Sequence, residues 1–367
     1  MGIILTGDEK IAPLTDIRAN SALPIAGRYR IIDFVLSNMA NAGITNVGIA
    51  TESNYSSLMD HTRSGKPWDL DRKKQGLNIL PPNLENQKFG VIKGNIDLLA
   101  GIRDYIARSD QTYVILSLGN MVYNIDFDEV VSAHIENQAD ITAIYKNLKG
   151  TADEELSHYT LFDVDSEGRI RDIEVQPYYP KTTKASLEIY VMEKALLESI
   201  VDECSARGDV DLEKDAIIKK MDGMRIFGYE FSGSFYKVDS MKSYYKTSME
   251  FLNAERRNEL FNSERPIYTK TKDQSPTKYG EDAVVTNSFI SDGCVIEGTV
   301  INSILSRGVK VEKGAVVKNS IIMQDSVIGK NAELSHVVFD KEVEITEGRR
   351  LIGQESYPLA ISKGSKI

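Results

Sequence analysis

The sequence lacks several features that common classes of protein require. Its 367 residues include only 2 cysteines and 4 histidines, and Cys204 lies 90 positions from Cys294. Neither a disulfide framework nor a zinc cluster with short Cys/His spacings is expected from so few ligands. No run of 18 apolar residues occurs, and the N-terminus has no basic flank of the kind a signal peptide carries. We therefore expect a cytoplasmic chain that holds no metal and does not contact a membrane.

A basic charge balance is also missing. Lys and Arg total 44 against 54 Asp and Glu, which gives a formal net charge of −10. Nucleic-acid binding requires a basic face to neutralise phosphates, so a nucleic-acid partner is not expected. The length exceeds what one ordinary core supports and predicts two domains.

Short apolar runs alternate with amphipathic stretches through about the first 255 residues. Residues 47–51, 113–118 and 140–145 have the composition of buried strands, and the first two precede helix-like segments. This alternation predicts βαβ units and a mostly parallel sheet, which binds ligands beyond the carboxyl ends of its strands. The loops after residues 5, 51 and 118 are therefore the expected site.

The C-terminal part repeats itself. Residues 285–290, 300–305 and 317–322 share the pattern V-x-N-S followed by two apolar residues, in steps of 15 and 17. This period is typical of a hexapeptide-repeat β-helix, and an ordinary β-sandwich with regular turns is the alternative. A polar stretch containing Pro266 and Pro276 precedes the repeats. We predict an α/β domain over 1–257, a linker over 258–280 and a β-helix over 281–367.

Several motifs carry a resemblance to a known family. Residues 14–20 read L-T-D-I-R-A-N, and residues 26–38 read A-G-R-Y-R-I-I-D-F-V-L-S-N. Residues 94–97, 116–123 and 211–215 read G-N-I-D, L-S-L-G-N-M-V-Y and D-L-E-K-D. Together these resemble the glucose-1-phosphate adenylyltransferase (ADP-glucose pyrophosphorylase) family over nearly the whole chain.

The resemblance implies a Rossmann-like, GT-A-like nucleotidyltransferase domain with a mixed, mostly parallel sheet, followed by a left-handed parallel β-helix. It implies transfer of an adenylyl group from ATP to glucose 1-phosphate with release of pyrophosphate. Active members carry a glycine-rich triphosphate loop, two aspartates that hold Mg²⁺ and lysines that grip phosphates. Such a site must supply positive charge where negative charge accumulates in the reaction.

The triphosphate loop departs from that pattern. Active members read approximately G-G-x-G-T-R-L, whereas residues 6–11 read T-G-D-E-K-I. Gly7, Asp8 and Lys10 remain as the remnant of the loop, and Asp8 and Glu9 bring carboxylates to the place of phosphate oxygens. Backbone N–H groups cradle an anion only where side chains are small and no like charge stands beside it.

Four further positions have lost the implied chemistry. Asn120 stands at the first metal aspartate and Lys237 at the second, while Gln176 and Asn20 replace phosphate-binding lysines. An ammonium group cannot coordinate Mg²⁺, which prefers carboxylate oxygens. Asp239 is the nearest carboxylate that could substitute for a lost ligand. An active sugar-1-phosphate nucleotidyltransferase with a rebuilt metal site thus stays open as an alternative.

This combination resembles the GlgD-type regulatory subunits that accompany a catalytic adenylyltransferase in some bacteria. The resemblance implies a hetero-oligomer, a tetramer in this type, in which the catalytic partner uses Mg²⁺ and this chain binds no cofactor itself. In the family, basic residues near Arg28 and Lys93 contact sugar-phosphate effectors, and Arg18 is retained. Surface charge is the alternative for Arg28 and Lys93. A stand-alone sugar-phosphate or nucleotide sensor is the third functional hypothesis.

Overall fold

The computed structural model describes residues 1–7, 9–81 and 92–367. The α/β domain contains helices α1 to α10: Ile31–Asn41, Ser56–Thr62, Asn95–Gly101, Arg103–Ala107, Phe127–Glu136, Asp153–Leu156, Lys194–Arg207, Ile218–Lys220, Met241–Glu250 and Ala254–Leu260. Its strands β1 to β13 are Gly2–Leu5, Pro24–Ile25, Tyr29–Arg30, Asn46–Ala50, Gly76–Leu80, Tyr113–Leu118, Met121–Tyr123, Ile141–Asn147, Thr160–Val164, Ile170–Val175, Lys184–Glu193, Ile226–Glu230 and Phe235–Lys237.

The main sheet is mixed. Strands β5, β4, β1 and β6 run parallel in that order, and β11 adds antiparallel to β6. Strand β11 also pairs with β8 and bridges to β9, which extend the sheet through β12 and β10. The carboxyl ends of β1, β4 and β6 therefore meet at one edge, as the sequence predicts.

Strand β1 shows why this sheet is covered on both faces. Its four residues are all buried. Ile3 and Leu5 join a core with α3, α4 and α7, while Ile4 joins a second core with α1. Alternate residues of a strand point to opposite faces, so an apolar run without alternation requires a layer of helices on each side.

The C-terminal domain is a three-sided left-handed β-helix, in agreement with the sequence prediction and not with a β-sandwich. Each side stacks five parallel strands among the described residues. Strands β14 to β28 are Lys278–Tyr279, Val284–Thr286, Phe289–Ile290, Val295–Ile296, Thr299–Ile301, Ile304–Leu305, Lys310–Val311, Val316–Lys318, Ile321–Ile322, Val327–Ile328, Glu333–Ser335, Val337–Phe339, Glu344–Ile345, Arg350–Ile352 and Leu359–Ile361.

The repeated Asn–Ser pair forms one corner of this β-helix. Asn302 and Asn319 have φ of +46° and +47°, the left-handed conformation that asparagine tolerates, and His336 takes the same place in the next coil at +51°. The Ser303 hydroxyl accepts a hydrogen bond from the Ser320 N–H at 3.1 Å, and the Ser320 hydroxyl accepts from the Val337 N–H at 3.2 Å. The motif is therefore a ladder that fixes the stacking register.

One side of the β-helix packs against the α/β domain. Ile321 and Val338 point outward from this side and are 3% and 0% exposed, because they share a core with Phe34 and Tyr244. The Tyr245 hydroxyl donates to the Asn319 carbonyl oxygen at 2.7 Å. The two domains therefore share one apolar interface.

A buried ion pair lies within the same interface. Both guanidinium N–H₂ groups of Arg18 lie 2.9 Å from carboxylate oxygens of Asp340, and one of them also donates to the Leu14 carbonyl at 2.9 Å. The two side chains are 2% and 1% exposed. Arg18, a candidate for effector binding from the sequence, is thus engaged in holding the domains together and does not face solvent.

The segment over residues 26–38, which carries the densest resemblance to the family, has structural roles. Gly27 has a φ of +76°, and a Cβ there would lie 2.5 Å from the Ser291 hydroxyl of the β-helix, so the turn needs glycine. Asp33 accepts from the Arg30 N–H at 3.0 Å and so caps α1. The Asn38 amide bonds the backbone around residues 123–125. These contacts explain why the segment stays recognisable where other motifs do not.

The domain boundaries stay a prediction. Helix α10 ends at Leu260 and strand β14 begins at Lys278, and both elements extend into the predicted linker over 258–280. Regular structure is absent between them within this described range. We propose the division 1–257, 258–280 and 281–367 on the grounds of the sequence pattern.

Breaking the interdomain ion pair is expected to destabilise the fold. Arg18→Met should lower the free energy of unfolding by about 3–5 kcal/mol, because it leaves the Asp340 carboxylate buried and unpaired. Arg18→Met with Asp340→Leu should recover about 2 kcal/mol of that loss. Urea unfolding measures both changes. The exposed pair of Arg350 and Glu333 is the control, and Arg350→Ala should cost less than about 1 kcal/mol. Equal losses in both pairs would contradict this assignment.

Candidate functional site

A polar cavity of about 260 Å³ opens at the carboxyl edge of the main sheet. Its walls combine charged and amide side chains with leucines from β1 and β6. The polar groups that matter for chemistry are Glu9, Gln176, Glu188, Glu213, Lys214 and Lys237. The sequence predicted a site at this edge, and two of the four positions named from the resemblance, Gln176 and Lys237, line the cavity.

The remnant of the triphosphate loop is filled by a carboxylate of the chain itself. A Cβ on Gly7 would lie 2.2 Å from a Glu9 carboxylate oxygen, so the Glu9 side chain folds back over the glycine. The Asn120 amide donates to the other Glu9 oxygen at 2.8 Å. Lys10 is exposed at the surface, and Asp8 lies outside the described residues. Negative charge thus stands where the resemblance would place a phosphate.

Lys237, which the resemblance places at the second metal aspartate, forms an internal ion pair. The Lys237 ammonium donates to the Glu188 carboxylate, and their side chains are only 12% and 20% exposed. Burial opposes the charge on Lys237, but Glu188, with Glu9 and Asp239, holds the pKa of its ammonium group above the usual value. Both charges of the pair are therefore already satisfied within the protein.

Glu188 could not have been identified from motifs. It has a φ of +53° on β11, at the point where the register with β8 shifts between Ser186 and Tyr190. That irregularity directs its carboxylate toward a lysine 49 positions away. The only sequence signal is a charged residue within an apolar strand.

The other two degenerate positions lie close to the same ion pair. Gln176 lines the cavity, and its backbone has a φ of +49°. Asn20 is buried and donates its amide to the carbonyl oxygen of Val238, next to Lys237, at 2.8 Å. The side-chain oxygens of Asn20 and Asn120 accept no hydrogen bond from the described residues. Gln176 and Asn20 are both neutral amides, so neither supplies the positive charge that phosphate binding needs.

Glu213 is a half-buried acid that sequence reasoning missed. Its carboxylate accepts from the Thr160 hydroxyl at 2.6 Å and from the Tyr190 hydroxyl. Burial and the nearby Glu188 carboxylate raise the pKa of Glu213 to about 7. The cavity therefore becomes more negative as the pH rises through neutrality, which disfavours phosphate further.

The residues of this cavity do not fit the Mg²⁺ ions that the resemblance implies. One metal position offers the neutral Asn120, bonded to Glu9, and the other offers the ammonium of Lys237. Asp239, the possible substitute ligand, accepts a hydrogen bond from the Ser243 hydroxyl at 3.0 Å. Across the described ranges, His, Cys, Asp and Glu side chains form no group of three with metal-binding geometry.

A second, basic cavity lies between the two domains. Its charged lining residues, apart from Asp60, are cationic or imidazole side chains: Arg28, Arg30, His61, Lys270, Lys272, Arg307 and Lys341. Asp60 is neutralised by Lys270, whose ammonium lies 3.1 Å from a carboxylate oxygen. Excess positive charge around a cavity favours an anionic ligand.

Two β-helix residues stand out in this basic cavity. Arg307 is 5% exposed, and its Nε has no hydrogen-bond partner among the described residues. Burial, together with the charges of Arg30 and Arg18, lowers the pKa of the Lys341 ammonium to about 8. Both groups are held without an anion of the protein to compensate them fully, since Asp340 is engaged by Arg18.

The three candidate effector residues are not brought together. Arg28 lines the basic cavity and stacks its guanidinium over Tyr29, 5.1 Å from the ring centre. Arg18 is buried behind it in the interdomain ion pair. Lys93 lies at the start of α3, where its N–H donates to Asp97 at 2.8 Å, and it does not line the basic cavity. The contribution of the β-helix to this cavity was missed because coil lysines and arginines carry no distinguishing motif.

Comparison with known proteins finds similar proteins over nearly the whole chain. A nucleotidyl transferase family model matches residues 1–254, and a model of GlmU-like C-terminal hexapeptide repeats matches residues 273–357. The chain is 37% identical to the glycogen biosynthesis protein GlgD of Bacillus subtilis, over 99% of this chain and 96% of that protein. It is 31% identical to the glucose-1-phosphate adenylyltransferases of Bacillus thuringiensis and Bacillus anthracis, over 95% of this chain and 93% of each relative.

The helices give one further result. Within the described residues, none combines the length and the apolar character needed to cross a lipid bilayer.

Restoring the two lost carboxylates is not expected to create an active site. Asn120→Asp with Lys237→Asp should leave the rate of ADP-glucose formation at least about 100-fold below that of a glucose-1-phosphate adenylyltransferase relative. The reason is that Glu9 still occupies the loop at Gly7, Gln176 still lacks positive charge, and Glu188 loses its cation. A coupled assay with ATP, glucose 1-phosphate and Mg²⁺ measures this rate. A rate within tenfold of the relative would overturn the interpretation of the loop.

Proposed function

The chain belongs to the glucose-1-phosphate adenylyltransferase family, and we propose that it is a non-catalytic or weakly catalytic regulatory subunit in glycogen biosynthesis. It modulates a catalytic homologue that converts ATP and glucose 1-phosphate into ADP-glucose and pyrophosphate. The resemblance to the GlgD protein of Bacillus subtilis over 99% of the chain supports this role.

The single observation that carries the proposal is the pairing of charges inside the cavity. Lys237 is neutralised by Glu188, and Glu9 lies over Gly7 with its carboxylate bonded to Asn120. Adenylyl transfer develops negative charge on phosphate oxygens, and catalysis requires preorganised positive charge aimed at them. In this cavity Lys237 is already engaged and the Glu9 carboxylate lies over the loop, so these residues disfavour the triphosphate.

Catalysis is assigned to a partner. In the proposed assembly the homologous adenylyltransferase supplies the Mg²⁺ site, and this chain contributes interfaces and effector response. A heterotetramer is the proposed assembly, and the cytoplasm is the proposed location, where glycogen is made from soluble sugar phosphates.

The basic cavity, about 50 Å³ in volume, is the proposed site for a phosphate group of the effector. Arg28 and Lys341 face it from the two domains, and Arg307 adds a buried guanidinium with an unpartnered Nε. Charge-assisted hydrogen bonds from such groups to phosphate oxygens are stronger than neutral ones. Because the cavity is shared by both domains, a bound sugar phosphate would favour their present arrangement. Lys93 stays a separate candidate outside it.

The same cavity supports a second candidate function. A chain that binds a sugar phosphate between its domains and has no catalytic partner would be a stand-alone sensor. The two roles differ in one respect: a sensor forms no complex with the adenylyltransferase homologue. The rebuilt-metal-site alternative has less support, since Asp239 is bonded to Ser243.

Mixing the chain with its homologue tests the proposed role. The purified chain alone should form ADP-glucose at background rate, because Glu188 neutralises Lys237 and Glu9 lies over the loop at Gly7. Mixed with a glucose-1-phosphate adenylyltransferase from the same organism, it should change the rate or the effector dependence of that enzyme. Coupled assays of each protein alone and of the mixture measure this. A robust rate from the chain alone would contradict the proposal, and an unchanged homologue would favour the sensor.

Lys341 should make effector binding depend on pH. With a pKa of about 8 it is charged at neutral pH and loses its charge as the pH rises through 8. Affinity for a hexose bisphosphate should therefore fall about tenfold between pH 7 and pH 9. Lys341→Ala should bind more weakly at pH 7 and show little further loss. Calorimetry measures both, with the exposed Lys330→Ala as control. A pH dependence that survives in Lys341→Ala would contradict this assignment.

A further inference from the structure

Residues 266–272 of the predicted linker, the linker strap, form neither a helix nor a strand, yet they are held against α1 at two points. The Ser37 hydroxyl accepts a hydrogen bond from the Tyr268 N–H at 2.8 Å. The Asn41 side-chain amide donates to the Pro266 carbonyl oxygen at 3.1 Å. These contacts fix both the position and the direction of the strap where it begins.

The Ser37 side chain can hold the strap precisely because it is itself fixed. It is fully buried, and the Trp68 indole N–H donates to its hydroxyl at 3.3 Å. Ile267, which lies between the two held positions of the strap, is 8% exposed and packs in the core shared by the two domains. A side chain whose rotamer is locked by packing positions its partner more precisely than a mobile side chain does.

The far end of the strap reaches the basic cavity, which both Lys270 and Lys272 line. The Lys270 ammonium donates to the Asp60 carbonyl oxygen at 2.6 Å and lies 3.1 Å from the Asp60 carboxylate. Lys272 is exposed and forms no hydrogen bond or ion pair with the described residues. Asp60 therefore neutralises one lysine, and Lys272 is the cation that the strap offers to an anion.

A phosphate group in the basic cavity would meet cations from three parts of the chain. Arg28 belongs to the α/β domain, Arg307 and Lys341 belong to the β-helix, and Lys272 belongs to the strap. The cavity is about 50 Å³ in volume, so it fits a group the size of phosphate. Charge-assisted hydrogen bonds need short distances and favourable angles. A small shift of the strap would therefore take Lys272 out of reach of the phosphate.

We propose that Ser37 and Asn41 are positioning residues for this cavity: by holding the linker strap, they keep Lys272 within reach of a bound phosphate. Neither of the two side chains lines the cavity itself. The inference rests on the proposed effector site and extends it, because it names residues outside the site on which binding depends. The ligand chemistry is a phosphate group, supplied by inorganic phosphate or by a sugar phosphate. A merely structural role would leave phosphate binding independent of how the two side chains act on Lys272.

A thermodynamic cycle distinguishes the two roles. Calorimetry measures the affinity for inorganic phosphate and for a hexose bisphosphate in wild type, Ser37→Ala/Asn41→Ala, Lys272→Ala and the triple variant that combines these substitutions. Loss of the two holding side chains should weaken binding about tenfold when Lys272 is present, and less than about twofold when it is replaced. Ser320→Ala is the control, since this buried hydroxyl also accepts a backbone N–H, from Val337 at 3.2 Å. The control should change either affinity less than about twofold.

Wild-type affinity in Ser37→Ala/Asn41→Ala would overturn the positioning role but leave the effector site standing. A tenfold loss that persists without Lys272 would overturn it as well, because the two side chains would then act on the fold in general. Absence of binding by wild type would overturn the effector site and the inference together, while the mixing assay with the homologue judges the regulatory role separately. Thermal melting verifies the fold of each variant. Should Ser37→Ala unfold, Asn41→Ala alone, at a half-buried position, goes through the same cycle.

Discussion

The arrangement of the whole molecule depends on the ion pair between Arg18 and Asp340. These two side chains are 322 positions apart in sequence and lie inside the apolar interface between the domains. A charge buried in an apolar interface is stable only beside an opposite charge. Each domain therefore supplies the group that stabilises the buried charge of the other domain. Asp340 also accepts the Lys341 N–H at 2.7 Å. The pair thus positions a wall of the basic cavity as well as the domain contact.

In the polar cavity at the carboxyl edge of the main sheet, charged side chains are likewise paired within the protein. Lys237 and Glu188 neutralise each other, and Glu9 engages Asn120 over the glycine of the loop. In family members with the implied chemistry, bound substrates and metal would neutralise the charges of this site. Here Glu188 pairs with Lys237, and Asn120 donates to Glu9, within the protein itself. Within residues 26–38, Asp33 caps α1 and Asn38 binds neighbouring backbone, while Arg28 and Arg30 line the basic cavity.

Features that depend on the local sequence could be predicted, whereas features that depend on contacts between distant residues could not. The β-helix was predictable because each coil repeats the same corner, and the sheet because buried strands keep their apolar composition. The positions Asn20, Asn120, Gln176 and Lys237 were named from the motifs that surround them, and their correspondence to catalytic positions stays a prediction. Glu188 was not named from a motif, because a backbone irregularity turns it toward a distant lysine. The burial of Arg18 was missed for the same reason: only docking of the β-helix brings Asp340 beside it.

The serine ladder of the β-helix has a consequence for how this domain can change in length. Asn302, Asn319 and His336 recur at steps of 17 residues, and each serine hydroxyl receives the N–H of the coil above it. Removing one residue from a strand would shift the rest of that strand out of register with the coil beneath it, whereas a turn can be two residues shorter, since the coils repeat at 15 as well as 17 residues. Removing or adding an entire coil would leave all remaining contacts in phase. The β-helix, including the side that packs against the α/β domain, can therefore lengthen or shorten along its axis only by whole coils.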